Sequence, residues 1–124
     1  MATCSRAWKK CESWWAKLHG EERSGPTGRD LPDVTNNRCP IGIEVKLQNR
    51  RTLRSEDIEQ ADTNARKLGL PWMLVLHEKN HNHADDLVVM PVATYLGIIT
   101  GLLEFDLPEE STVLARKLLK ERSP

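Results

Sequence analysis

Apolar positions along this chain change period several times, and each change marks an element. Between Ser5 and His19 the residues Ala7, Trp8, Cys11, Trp14, Trp15 and Leu18 recur at three- and four-residue intervals, with Gly20 behind them. That spacing predicts an amphipathic helix. Residues 20–30 follow with three glycines and a proline in eleven positions, which predicts a loop. In Ile41-Gly42-Ile43-Glu44-Val45-Lys46 the period drops to two, as in a strand with one apolar and one polar face. A short segment ahead of it, Leu31-Pro32-Asp33-Val34, is expected to pair with this strand through a turn over Asn36–Pro40.

Ser55 reads as the cap of a second helix, with Glu56 and Asp57 in its first turn, a buried stripe of Ile58, Ala61, Ala65 and Leu68, and Gly69 and Pro71 as stops. The unbroken apolar run Trp72–Leu76 then has the length and character of a strand covered on both faces. Strand, helix and buried strand make a βαβ unit, expected to cross over right-handedly. A polar connection, His77–Asp86, leads to a strand over Leu87–Met90. A short helix over Val92–Ile99 and a last helix over Pro108–Glu121 complete the chain. The last helix is entered through Asp106, carries Val113, Leu114, Leu118 and Leu119 on one face, and either caps the sheet or meets a partner chain. The expected fold is α/β, a small mixed central β-sheet flanked by helices, in one domain spanning residues 1–124.

Composition narrows the function classes. With 124 residues the chain can bury a core of its own. It has no apolar run long enough for a bilayer, and its start lacks the apolar stretch of a signal peptide, so the expectation is a cytoplasmic protein. Three cysteines (Cys4, Cys11, Cys39) without CxxC spacing indicate reduced thiols rather than a disulfide framework or a cysteine-rich zinc site. Eighteen acidic residues balance eighteen basic ones, which argues against a protein that coats DNA by net charge. The distribution is more informative: Lys46, Arg50, Arg51 and Arg54 form a run with no acid before Glu56. Such a run suits a phosphate backbone, and a solvated loop is the plain alternative.

The chemistry concentrates on the polar face of the central strand. Glu44 and Lys46 share that face, and pairing with Leu31–Val34 would bring Asp33 to them. Two carboxylates and an ammonium at one sheet edge can hold a hard divalent cation against a phosphodiester. Glu12 flanks the apolar stripe of the first helix and is placed to reach that edge, or else is a surface glutamate beside Lys9 and Lys10. Gln60 and Asn64 sit four apart on the second helix. Ser24, Thr27 and Arg29, in the glycine-rich loop, are candidates for a substrate phosphate. His77, His81 and His83 have a spacing that can bind zinc, although no helix or cysteine partner frames them in the sequence, and a polar hairpin tip explains them as well. Of eight lysines, only Lys46 follows an acid at two positions' distance, so the motif draws its weight from its context.

Pro32-Asp33 followed by Glu44-Val45-Lys46 resembles the PD-(D/E)xK nuclease superfamily, and within it the small Holliday junction resolvase-like nucleases of archaea and phages. The resemblance spans about residues 5–98, with Glu12, Ser24 and Gln60 at matching places. It implies a restriction endonuclease-like αβββαβ core and a metal-dependent endonuclease acting on branched DNA as a homodimer. Asp33, Glu44 and the Val45 carbonyl would ligate Mg²⁺ or Mn²⁺. Glu12, Asp33, Glu44, Lys46 and Gln60 would form the catalytic group, and Ser24, Arg29, Arg50, Arg51 and Arg54 would contact DNA. The other readings are a restriction or repair nuclease acting on linear DNA or flaps, a non-catalytic nucleic-acid-binding module, and a zinc protein.

Overall fold

The computed structural model describes residues 2–20 and 39–122. Helix α1 (Ala2–Leu18) ends at Gly20, whose φ of 72° a residue with a side chain would rarely adopt. Strand β1 (Gly42–Gln48) follows, then α2 (Ser55–Arg66), β2 (Trp72–Glu78), a 3₁₀ turn (His83–Asp85), β3 (Leu87–Val89), α3 (Val92–Ile99) and α4 (Glu109–Glu121). The molecule is mixed α/β: among the described residues it has a three-stranded sheet of order β1-β2-β3, with β1 and β2 parallel and β3 antiparallel to β2. The expected strand over Leu31–Val34 lies outside the described residues, as does most of the expected αβββαβ arrangement upstream of β1.

The parallel register opposes Glu44 to Leu74 and Lys46 to Leu76. Backbone bonds from Gly42 to the Pro71 carbonyl (2.8 Å) and from Lys79 to the Gln48 carbonyl (2.7 Å) extend this pairing at both ends. Strand alternation then sorts side chains into two layers. On one face Ile41, Ile43, Val45, Met73 and Val75 pack with Cys11, Trp15 and Ala16 of α1. On the other, Leu74 and Leu76 pack with Ala61 of α2. β2 is buried on both faces as its continuous apolar run predicts, and it runs two residues further than expected, to Glu78.

Several details differ from the sequence expectation. Ser55 is the first residue of α2 rather than its cap: Arg54 occupies that position, and no side chain bonds to the exposed amides. Leu68 lies past the end of the helix and is 42% exposed, while Asn64 is buried in the α2 layer. On α1, Trp8 is exposed and Ala16 takes a core position. On α4, Val113 and Leu119 face outward, and Leu114 and Leu118 turn toward α1. α3 is anchored by Thr94, which is fully buried and donates its hydroxyl to the Trp72 carbonyl at 3.0 Å. No helix of the described residues is long and apolar enough to cross a membrane.

Candidate active site and a second polar cluster

β1 places Glu44 and Lys46 on the α2 face, among positions that their β2 neighbours fill with leucine. α2 supplies one amide side chain to each. Asn64 Nδ2 donates to Glu44 Oε1 at 2.8 Å, and Lys46 Nζ donates to Gln60 Oε1 at 2.6 Å. The two amides are four residues apart, one helical turn, so a single helix face orients both groups. The Asp57 carboxylate lies 4.0 Å from Lys46 Nζ, an ion-pair contact rather than a hydrogen bond. Glu44 is 2% exposed and the Lys46 side chain 25%, so this polar track opens to solvent at its Lys46 end.

Between these residues, the Val45 carbonyl receives Trp8 Nε1 of α1 at 3.4 Å. Glu12 follows Trp8 by one turn of α1 and is 2% exposed. It is therefore an interior carboxylate of the α1 layer, not a surface partner of Lys9 or Lys10. Asp33, Ser24, Thr27 and Arg29 lie outside the described residues.

The basic run is not one surface. Arg51 donates its amide to Glu78 Oε1 at 3.1 Å and its guanidinium to the Asp85 carbonyl. The Arg51 amide, followed by the positive charge at His81 and the two arginines, holds the Glu78 carboxyl below the usual carboxylate range. Gln48 bonds both the amide and the carbonyl of Thr52, at 2.8 and 2.9 Å, which fixes the loop carrying the arginines. Arg50 is exposed, and Arg54 lies 4.0 Å from Glu56 with both side chains mostly in solvent.

A second polar cluster lies on the opposite, α1 side of the sheet. Asp86, whose side chain is 2% exposed, accepts from Trp15 Nε1 at 2.8 Å. It also meets Nδ1 of His77 at 2.5 Å and Nδ1 of His83 at 2.8 Å. The two imidazoles stack with centroids 4.2 Å apart, and Trp14 stacks on the outer face of His83 at 4.4 Å. Cys11 faces them from α1, with one potential ligand atom from each of Cys11, His77 and His83 within 4.8 Å of the others. His81 stands apart, paired with Glu78 at 2.5 Å. The histidine spacing pointed to this region, but Cys11 and Asp86 were not legible as its members. Cys11 joins from a helix 66 residues upstream, and Asp86 from the end of what reads as a polar hairpin.

A donor set of carboxylate and carbonyl oxygens at Glu44 and Val45 suits Mg²⁺ or Mn²⁺, whereas thiol and imidazole suit a softer ion. Comparison with known proteins returned no matching family model, no matching curated protein and no matching solved structure.

Proposed function

We propose that the protein is a metal-dependent DNA endonuclease acting on branched or otherwise structured DNA. The observation that carries the reading is the pair of amide-held groups on β1: a buried carboxylate and a partly exposed ammonium, each oriented by α2. A strand position facing a helix layer is ordinarily filled by an apolar residue, as at Leu74 and Leu76. Charged groups there cost desolvation, and holding them in fixed orientation is what positioning for catalysis requires.

In this reading Glu44 and the Val45 carbonyl, with Asp33, would hold Mg²⁺ or Mn²⁺, which would supply charge to polarise a phosphodiester and activate a water. Lys46, aimed by Gln60, places a positive charge where the phosphate gains negative charge in the transition state. Asn64 keeps one Glu44 oxygen committed and so fixes the direction of the other. Glu12, one turn from Trp8, acts from the α1 side. Arg50 and Arg54 contact the DNA backbone, and Arg51 holds the loop in place.

Paired cuts across a junction need two sites, so the active species is a homodimer. The exposed apolar residues Val92, Tyr95, Leu96 and Ile99 of α3 are the surface that supports it.

The test is cleavage of a labelled four-way junction, flap, linear duplex and single strand, with and without Mg²⁺ or Mn²⁺, with Lys46→Ala run in parallel. Metal-dependent cutting of the junction by the parent but not by the variant is the expected result. Cutting restricted to linear duplex or flaps would replace the substrate class. No cutting of any substrate under conditions where DNA is bound would replace the enzyme with a binding module.

A further inference from the structure

The Cys11, His77 and His83 cluster has no part in that reaction, and its chemistry differs from that of the Glu44 site. Three elements converge on it: α1 brings the thiol, β2 one imidazole and the 3₁₀ turn the other. Every hydrogen bond that the two rings make among the described residues is made through Nδ1, to the single carboxylate of Asp86. A carboxylate at Nδ1 fixes the proton there and leaves the Nε2 lone pair of each ring for another partner. This carboxylate–histidine pairing is the arrangement that orients imidazoles toward a metal ion.

A thiol with two imidazoles is a nitrogen and sulfur donor set, suited to a borderline-soft divalent ion and poorly suited to Mg²⁺. Cys11 and His77 are 5% and 6% exposed, so both donors are shielded from bulk solvent. His83 and Asp86 also line a groove of about 300 Å³ between α1 and α4, together with Trp14, His19, Leu114 and Leu118. The cluster therefore meets the groove through His83, the least buried of the three donors.

We propose that Cys11, His77 and His83 form a binding site for a zinc-like divalent ion, with Asp86 orienting both imidazoles, on the face of the sheet opposite Glu44 and Lys46. The site ties α1 to the β2–β3 connection.

The test uses the full chain, stripped with chelator and reloaded with Zn²⁺ or Co²⁺. One equivalent of zinc by elemental analysis is expected, with an upward shift in melting temperature on reloading. The cobalt form should show a thiolate-to-cobalt charge-transfer band that disappears in Cys11→Ser. His83→Ala, at a partly exposed position, should lose the equivalent of zinc while keeping its circular dichroism. His81→Ala should retain it, and Asp86→Asn should weaken affinity roughly 10- to 100-fold. A parent protein that takes up no zinc at micromolar free ion, or a cobalt spectrum without the thiolate band, would overturn the proposal. So would full zinc retention in both Cys11→Ser and His83→Ala. None of these readouts involves DNA cleavage, so the outcome is separate from that of the nuclease test.

Discussion

Glu44 sits where the opposing strand carries Leu74, and its Oε1 is held by a neutral amide rather than by solvent. Asn64→Ala withdraws that donor from a buried carboxylate, so we expect a loss of about 1–3 kcal/mol of stability by chemical denaturation. Glu44→Gln should abolish cleavage while leaving DNA affinity near the parent value, measured by gel shift without metal. Cleavage by Glu44→Gln at the parent rate would move the metal site elsewhere. Lys46→Ala should lower the single-turnover rate by about 100-fold or more, the usual effect of removing one group that stabilises transition-state charge. Gln60→Ala, which frees Lys46 without removing it, should lower the rate less. The acid and the lysine are legible in the sequence because strand alternation is local. Asn64 was visible one turn from Gln60, but a search for apolar stripes does not mark a buried amide. Cys11 reads only as part of an apolar stripe, because its partners come from β2 and the turn beyond it.

α3 ends in a turn whose geometry leaves almost no tolerance. Gly101, at φ 75°, donates to the Ile98 carbonyl, and Leu103 donates back to the Gly97 carbonyl at 2.9 Å, which folds Leu103 over Gly97. A Cβ at Gly97 would stand 2.7 Å from Leu103 Cδ1 and 2.8 Å from its Cγ. Gly97→Ala should therefore destabilise by about 1–3 kcal/mol, seen as a lowered melting temperature. If the melting temperature does not change, Leu103 can repack freely and the contact is not a constraint. The helices and strands downstream of β1 were legible to within a residue or two, because periods of 3.6 and 2 and the Gly and Pro stops act locally. What periodicity could not assign was which apolar residues would be covered. Leu68 falls just beyond its helix, and Val113 and Leu119 of α4 have no layer above them among the described residues. Coverage depends on contacts between elements distant in sequence.

Among the described residues the whole molecule presents a charged loop after β1 and an apolar face on α3. Ile99, 59% exposed, and Val92, 71% exposed, are costly to leave in water on a monomer. Tyr95→Glu with Ile99→Asp should shift the mass in light scattering from dimer to monomer. A parent that is monomeric at the same concentration would remove this interface. Arg50→Ala with Arg54→Ala should flatten the salt dependence of DNA binding by about two counterions, whereas Arg51→Ala should act mainly on stability, through the lost guanidinium bond to the Asp85 carbonyl. Asp86 carries a different consequence. Its one carboxylate gathers donors from α1, β2 and the 3₁₀ turn, so none of the three can move away alone without leaving a dry, partly unsatisfied charge. In native-state hydrogen exchange the amides of the second half of α1 and those flanking His77 and His83 should open together, with one shared free energy. Asp86→Asn should split that common opening into separate, lower-energy events.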